Sequence, residues 1–211
     1  MKNIMATVLA CMGMIALSSC TKEPLKNMTE EESRIYVTNH DNTVSFSDYK
    51  TFSIADSASI IDNNRLVQRE RTAWDADLIA AIATQMQSRG FTIVDRLDNP
   101  DLGINISRIY NTYTGVVEYP GYLGGYGSYY DPFYWGYGGY NYWFPPSYGF
   151  YEVTEGAVSV DMLDLKNAAS SNQIKGVWNG LIRGSGTFRQ TNAGTHAARL
   201  FEQSPYLITN N

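Results

Sequence analysis

The chain has 211 residues, of which 44% are hydrophobic, and its formal net charge at pH 7 is −5. This size fits one packed domain behind a short N-terminal segment. Nucleic-acid binding depends on cationic contacts to phosphate, so the acidic balance argues against it as a main function. The two histidines, His40 and His196, provide little material for a metal site or a catalytic histidine network, and we expect neither a metal nor a cofactor.

The first 19 residues predict a signal peptide. Lys2 supplies a positive start, and the uncharged apolar run from Ile4 to Leu17 is shorter than the roughly 20 residues that a spanning helix needs. The tetrad Leu17-Ser18-Ser19-Cys20 resembles the lipobox of bacterial lipoproteins. This resemblance implies cleavage before Cys20, a lipid on its thiol and acylation of the new N-terminus with a chain such as palmitate. The alternative is an ordinary secretory signal followed by a chance cysteine.

The remaining N-terminal residues predict a tether. Cys11 leaves with the signal and Cys20 is lipidated, so the mature domain has no disulfide and no cysteine nucleophile. We assign residues 20–40 to the lipidated cysteine and a polar tether, and residues 41–208 to a single domain. Lys22-Glu23 resembles the tag by which some Gram-negative bacteria export lipoproteins to the cell surface; a plain charged linker is the alternative. We therefore expect an outer-membrane lipoprotein, on the periplasmic face or the cell surface.

The first half of the domain predicts a strand, a helix and two further strands. In "NTVSFSDYKTFSI" (Asn42–Ile54) the apolar residues alternate, which indicates a strand, and the polar residues 55–64 indicate a loop. "WDADLIAAIATQMQSRG" (Trp74–Gly90) has apolar residues at helical spacing, acidic residues at its start and glycine at its end, which indicates a helix. "FTIVD" (residues 91–95) and "DLGINISRIY" (Asp101–Tyr110) predict strands.

The second half predicts two strands and a closing helix. "GAVSVDMLDL" (Gly156–Leu165) alternates, with Ser159 and Asp161 expected to face solvent. "IKGVWNGLIRGSG" (Ile174–Gly186) places Ile174, Trp178 and Ile182 on one face, and residues 191–205 predict a helix that ends at a proline. The order of elements predicts an α+β domain: an antiparallel or mixed sheet of about five strands, two helices on one face, and a long Gly/Tyr-rich insertion.

Several motifs together resemble a known family. They are "YKTFSI", the helix end "SRGF", "NPDLGINIS", "EGAVSVDMLDLKN", "KGVWNG" and the closing "EQSP", spread from Val44 to Pro205. The chain is similar in these motifs to the bacterial lipoprotein family catalogued as domain of unknown function 4136. The resemblance implies a lipid-anchored α+β domain of the cell envelope and implies no particular reaction or ligand.

The candidate chemical groups mostly have structural explanations. Asp161 and Asp164 form the best carboxylate pair for general acid–base catalysis, but their parity places them on opposite faces. Trp178, between two glycines, is expected in the core rather than as a stacking platform. His196 is expected on or near the surface of the last helix. The sequence therefore offers no catalytic residue, and we expect no enzyme.

The insertion is the strongest candidate for function. Residues 119–151 hold 11 of the 16 tyrosines and 8 of the 18 glycines, with no lysine or arginine. Three interpretations stay open: a mobile segment, a segment that packs on the uncovered sheet face, and a sticky binding surface. The candidate ligand contacts are Tyr134, Trp135, Tyr137, Tyr140, Tyr142 and Trp143.

Three hypotheses for function follow. The first is a non-catalytic envelope lipoprotein that binds a glycan or another envelope protein through these rings. The second is a purely structural lipoprotein in which the insertion is a spacer. The third, the least favoured, is a hydrolase that uses Asp161 or Asp164. The oligomeric state is not predicted.

Overall fold

The computed structural model describes residues 29–63, 65–110, 131–143 and 156–209. In these residues the chain forms one mixed sheet of nine strands and three helices, which confirms the predicted α+β class. The strands are β1 (Ile35–His40), β2 (Thr51–Ile54), β3 (Ala58–Asp62), β4 (Arg65–Glu70), β5 (Thr92–Ile93), β6 (Leu102–Tyr110), β7 (Asn141–Trp143), β8 (Ala157–Asp164) and β9 (Gln173–Arg183). The helices are α1 (Ala73–Ser88), α2 (Ala168–Ser171) and α3 (Ala193–Glu202).

Three long strands form the centre of the sheet. The order along the main path is β1-β9-β8-β6-β2-β5, and the pairs β1/β9, β9/β8 and β8/β6 are antiparallel. β6 also has β2 and then β3 as parallel neighbours along one edge, with β4 paired to β3. β7 lies parallel to the first residues of β9, beyond the end of β1. The sheet is therefore mixed, with its parallel pairs at the short strands.

One side of the sheet, the helix face, is covered by α1 and α3. Thr72 and Asp75 form a capping box that starts α1, and Gly90, with a positive φ of 92°, follows its end. The helices bury Leu78, Phe201 and their neighbours against the sheet in one apolar cluster. The predicted pair of helices on one face is confirmed.

Trp178 lies in the centre of the helix face, as expected. It is fully buried, and its Nε1 donates a hydrogen bond of 2.9 Å to Ser204 Oγ. A Cβ on Gly180 would lie 2.6 Å from the Trp178 ring, so the ring requires the bare backbone at that position. Ile174 does not share this face, contrary to the prediction. In β9, Trp178 lies opposite Met162 and Gly176 lies opposite Leu163, so Val177 is an extra residue. This bulge turns Ile174 to the other side of the sheet.

The other side of the sheet, which we call the ledge face, buries both apolar and polar residues. Its apolar cluster includes Ile109, Leu163, Ile174 and Leu181 together with Trp135 and Tyr142. Beside it, Asn105, Asp161 and Asn179 lie in register across β6, β8 and β9. All three are buried, so the ledge face is part of the interior rather than a wet surface.

The structure corrects three assignments made from the sequence. Residues 35–40, assigned to the tether, form β1. Residues 42–54 are a strand only from Thr51; a 3₁₀ turn occupies Phe46–Asp48 because local hydrogen bonds, such as those from Thr43 to the Asp41 carboxylate, compete with extended pairing. Residues 55–64, assigned to a loop, contain β3, whose partner β4 was also missed.

The signal peptide, Cys20 and the first part of the tether lie outside the described residues, as do residues 119–130 and 144–151 of the insertion. Within the described ranges, no helix has the length and apolar character needed to cross a membrane.

Candidate functional site

Residues 131–143, which we call the aromatic ledge, hold all six rings predicted as ligand contacts. Trp135 and Tyr142 are buried, with 5% and 4% of their surfaces exposed. Tyr134, Tyr137 and Tyr140 are half-buried against the same cluster. Trp143 is also half-buried, at the end of β7. For these thirteen residues, the structure supports the second of the three interpretations: they pack on the sheet face that the helices leave free.

The Trp135 ring lies directly on the sheet because Gly103 has no side chain. A Cβ at Gly103 would lie 3.1 Å from Trp135 Cε2 and 2.8 Å from Leu165 Cδ1. The distance to Leu165 is shorter than real Cβ atoms show and the distance to Trp135 is tighter than most, so any larger residue would shift the leucine and press on the ring. Tyr142 adds a second attachment, since β7 pairs with β9 through Tyr142 and Ile174. The two buried rings therefore hold the ledge at both ends.

Tyr134 connects the ledge to the parallel edge of the sheet. Two guanidinium groups contact its ring: Arg69 at 4.4 Å and Arg96 at 5.2 Å from the centroid. Its hydroxyl accepts a hydrogen bond of 3.1 Å from the Asp56 backbone N–H. Burial, more than any other influence, raises the pKa of Tyr134. These cation–π and hydrogen-bond contacts fix the direction of the ledge as well as its position.

The ledge still presents aromatic surface to solvent. Phe133 is 76% exposed, and Tyr140 and Trp143 are only half-buried. Tyr137 and Tyr140 contact each other with ring centroids 5.3 Å apart. The ledge therefore consists of buried rings that attach it and outer rings that remain accessible.

A cleft of about 760 Å³ opens at the end of the sheet next to the ledge. Its lining includes Asp41, Asp48, Tyr49, Lys50, Asp164, Lys166 and Lys175. We call it the end cleft. Tyr49 is buried, and burial followed by the nearby Asp164 carboxylate raises its pKa far above the usual range. Its phenol is therefore a protonated hydrogen-bond donor at neutral pH.

Two contacts join the ledge to the end cleft. The Tyr137 hydroxyl donates a hydrogen bond of 3.0 Å to the Leu165 carbonyl, between the cleft residues Asp164 and Lys166. The Lys175 ammonium, which lines the cleft, lies 5.7 Å from the centroid of the Trp143 ring. The cleft and the rings thus form one continuous surface.

The two carboxylates weighed as a catalytic pair, which their parity placed on opposite faces, are separated. Asp164 lines the end cleft, whereas Asp161 lies on the ledge face beside Asn179. Asp161 was expected to face solvent, and this is wrong: it is fully buried. It accepts hydrogen bonds from Ser159 Oγ at 2.7 Å and from Asn179 Nδ2 at 2.6 Å, and these bonds compensate part of the cost of burial.

Asn105, Asp161 and Asn179 form a polar row across the sheet, and Asn105 has the fewest hydrogen bonds of the three within the described ranges. It is 1% exposed, and among the described residues neither its amide nitrogen nor its amide oxygen has a hydrogen-bond partner. An unpaired buried amide costs free energy of about 1–3 kcal/mol. Asn105 is therefore a local source of instability on the ledge face.

His196 was expected at or near the surface, and this is also wrong. It is fully buried, with Nδ1 accepting from the Tyr36 hydroxyl at 2.8 Å and Nε2 donating to the Thr187 carbonyl at 2.9 Å. Burial lowers its pKa below the ordinary value. Both ring nitrogens are used by the fold, so the structure assigns His196 a structural role.

No sequence pattern predicted the end cleft. Its residues come from three separated stretches, 41–50, 164–167 and Lys175, and their meeting depends on the order of the strands. The run "LDLKN" carried a weak signal, because an aspartate and a lysine flank Leu165, the residue just after β8. In the described part of the chain, no group of three or more His, Cys, Asp or Glu residues is placed to hold a metal ion.

Comparisons with known proteins agree with this fold. The family model described as a domain of unknown function, DUF4136, matches residues 36–206. A crystal structure of a DUF4136 family protein from Bacteroides thetaiotaomicron is 27% identical with a TM-score of 0.70, covering 84% of this chain and 99% of that one. No curated protein matched the chain.

Two more distant structures are also similar. A PelC dodecamer from Paraburkholderia phytofirmans is 13% identical with a TM-score of 0.39, covering 84% of this chain and 99% of that one. A PDZ domain protein from Parabacteroides distasonis is 15% identical with a TM-score of 0.44, covering 85% of this chain and 41% of that one.

Proposed function

Since the chain belongs to the DUF4136 family of domains of unknown function, we propose its role from its geometry: a lipid-anchored, non-catalytic binding module of the cell envelope. The observation that carries the binding role is the aromatic ledge. Trp135 and Tyr142 attach it to the sheet, while Phe133, Tyr140 and Trp143 keep part of their rings accessible. Rings that are already fixed lose little conformational freedom when they bind a ligand.

A glycan of the envelope is the partner that this surface favours. Tyrosine and tryptophan offer large, rigid contact areas with polar tips, which suit the flat faces of sugar rings and their hydroxyl groups. Another envelope protein is the alternative partner, because exposed aromatic patches also mark protein interfaces. The separation of Asp161 and Asp164 removes the support for a hydrolase that uses them as a pair.

The anchor in this proposal is Cys20, within the lipobox Leu17–Cys20. Acyl chains contribute about 0.8 kcal/mol for each buried methylene, so several chains hold a protein firmly in a membrane. Cells grown with labelled palmitate should incorporate the label into the protein and into a Lys22→Gln control. The Cys20→Ser variant should carry no label. A label that persists in Cys20→Ser would contradict lipidation at this residue, and outer-membrane fractionation would test the location.

The binding role is tested with the mature protein and immobilised envelope glycans. Trp143→Ala should weaken retention about tenfold, because losing one stacked ring removes roughly 1.4 kcal/mol. Val67→Ala is the matched control, since Val67 is 61% exposed on β4 and outside the ledge. Equal retention of the two variants would contradict the role of the ledge. Capture of an envelope protein in place of a glycan would favour the alternative partner.

The structural-spacer hypothesis makes the opposite prediction. If the rings only space the domain, replacing residues 119–151 by a short Gly-Ser link should leave the cell surface unchanged and abolish no binding. The accessible rings beside a polar cleft favour the binding role over the spacer.

A further inference from the structure

We propose that the end cleft is the specificity subsite of this glycan-binding surface and that it receives a sugar unit bearing a carboxylate. This inference rests on the proposed glycan-binding function and goes beyond it, because it names the class of sugar. It follows from the size of the cleft, the donors and acceptors of its floor, the charges of its rim and its continuity with the aromatic ledge.

The size of the end cleft suits a small polar ligand. Its volume of about 760 Å³ lies within the range of about 300–1,000 Å³ that is typical of small-molecule sites. Its lining is mainly polar and charged, with hydroxyls from Thr43, Ser45 and Ser47 besides the ionic residues. An apolar ligand would leave these groups without partners, whereas a sugar supplies a hydroxyl for many of them.

The floor of the cleft offers acceptors that are held in place. Asp41 is 5% exposed and accepts from the N–H and hydroxyl of Thr43 at 2.9 and 2.6 Å. Asp164 is 3% exposed and accepts from the backbone and side-chain nitrogens of Asn167 at 3.0 and 2.8 Å. A carboxylate has about four acceptor positions, so both retain capacity for ligand hydroxyls. The Tyr49 phenol hydrogen-bonds Asp164 and so helps to hold this carboxylate in place. Two preorganised acceptors suit a polyhydroxylated ring.

Two lysines at the rim of the cleft form no ion pair within the part of the chain that the structure describes. Lys166 and Lys175 line the cleft, and neither forms an ion pair with any carboxylate of the described residues. The Lys166 ammonium donates to the backbone carbonyl of Asp48 and lies 6.0 Å from the Tyr49 ring centroid. The Lys175 ammonium contacts the Trp143 ring. An anionic group that enters at the rim would therefore meet ammonium groups without first breaking an ion pair.

The balance of charge favours a carboxylate over a phosphate. Three lysines and three aspartates line the cleft, and two of the aspartates, Asp41 and Asp164, are buried at its floor. A doubly charged phosphate would be repelled by these two carboxylates more strongly than a singly charged group would. A sugar acid instead places one negative charge at the lysines and its hydroxyls at the floor.

The aromatic ledge extends the site beyond a single sugar. Tyr137 reaches the cleft edge through its hydrogen bond to Leu165, and Trp143 borders it at Lys175. A saccharide chain that leaves the cleft on this side would pass over half-buried rings. We therefore assign charge recognition to the cleft and sequence-tolerant stacking to the ledge.

The test uses the full-length mature protein in detergent, with calorimetric titration of galacturonic and glucuronic acid oligosaccharides and of their uncharged methyl esters. The acids should bind at least tenfold more tightly than the esters at low salt, and added salt should reduce this ratio. In the Lys166→Gln/Lys175→Gln variant the ratio should fall to within about twofold. Arg65→Gln, which removes an exposed charge on β4, should keep the full ratio.

The outcomes separate this inference from the function on which it rests. Equal binding of acids and esters, or an unchanged ratio in the double lysine variant, would overturn the carboxylate subsite and leave glycan binding standing. Binding of other envelope glycans but of neither acids nor esters would also overturn the subsite alone. If no glycan binds, the proposed function itself fails. Trp143→Ala should weaken acids and esters by the same factor, since stacking does not depend on charge.

Discussion

The two faces of the sheet are closed in different ways. On the helix face, regular helices bury an apolar cluster around Trp178, and the buried His196 and Ser204 there are hydrogen-bonded. On the ledge face, an irregular ring-rich segment covers part of a surface that also buries Asn105, Asp161 and Asn179. Regular amphipathic elements maximise stability, whereas buried polar rows and half-exposed rings reduce it. We therefore expect the helix face to contribute more of the stability, and the proposed binding role concerns the ledge face.

The largest expected effect lies at the centre of the helix face. Trp178→Ala should lower the free energy of unfolding by about 3–5 kcal/mol, because it removes a fully buried ring. For a protein of this size that corresponds to a fall in melting temperature of roughly 6–20 °C. Ser204→Ala is the control, since it removes the acceptor of the Trp178 hydrogen bond and a longer contact with the Tyr206 hydroxyl while keeping the Trp178 ring, and it should cost about 1 kcal/mol. If Trp178→Ala lowered the free energy of unfolding by less than the control does, Trp178 would not lie at the centre of the core.

A smaller loss is expected on the ledge face. Trp135→Ala should cost about 3 kcal/mol in urea unfolding, the low end for a buried tryptophan, because the ring is 5% exposed. Phe133, two residues away and 76% exposed, provides the matched control, and Phe133→Ala should change the stability by less than about 0.5 kcal/mol. Equal costs for the two variants would mean that the ledge does not belong to the core.

Two substitutions in the polar row should change the stability of the protein in opposite directions. Asn105→Leu should stabilise the protein by about 1 kcal/mol, because it replaces a buried amide that has no hydrogen-bond partner. Asn179→Leu, on the neighbouring part of the row, should destabilise it by a similar amount, because Asn179 donates to Ser159 and Asp161. Chemical denaturation measures both. Stabilisation by Asn179→Leu would show that the row does not depend on these hydrogen bonds.

The smallest effect concerns pH and the helix face. Burial lowers the pKa of His196, so below its ordinary value of 6.5 the unfolded chain binds a proton that the folded chain does not. The free energy of unfolding should therefore decrease as the pH falls from about 6.5, by at most about 1.4 kcal/mol per pH unit for one proton. His196→Gln should flatten this dependence in thermal unfolding between pH 7 and 5, whatever its effect on stability at pH 7. An unchanged slope would assign the dependence to other groups.

Regular periodicity made the helix face predictable from the sequence. The helix around Leu78 and Ile82, the strand before Tyr110 and the closing helix around Leu200 and Phe201 all lie where their patterns indicate. The missed elements are short or lie at edges. Residues 35–40 alternate but follow a charged stretch. β3 and β4 are separated by Asn63-Asn64, a turn signal at the end of the polar run 55–64 that predicted a longer loop.

The ledge face was less predictable for physical reasons. Alternation made Asp161 look exposed, but a strand at the centre of a sheet that is covered on both sides buries both parities. Ile174 changed sides because a bulge at Val177 shifts the period by one residue, and no local pattern indicates a bulge. The end cleft joins residues that are about 120 positions apart, so only the strand order could reveal it. The functional proposals concern this less predictable face.

One double-mutant cycle tests directly whether the ledge is part of the folded domain. The cycle combines Gly103→Ala with Trp135→Ala, because a Cβ at Gly103 would meet the Trp135 ring at 3.1 Å. Gly103→Ala should cost about 1–3 kcal/mol when Trp135 is present and close to nothing when it is alanine, since the cavity then accommodates the methyl group and lets Leu165 move. The same cost in both backgrounds would mean that the Trp135 ring does not limit the space at Gly103, which contradicts the account of a ledge packed on the sheet at this point.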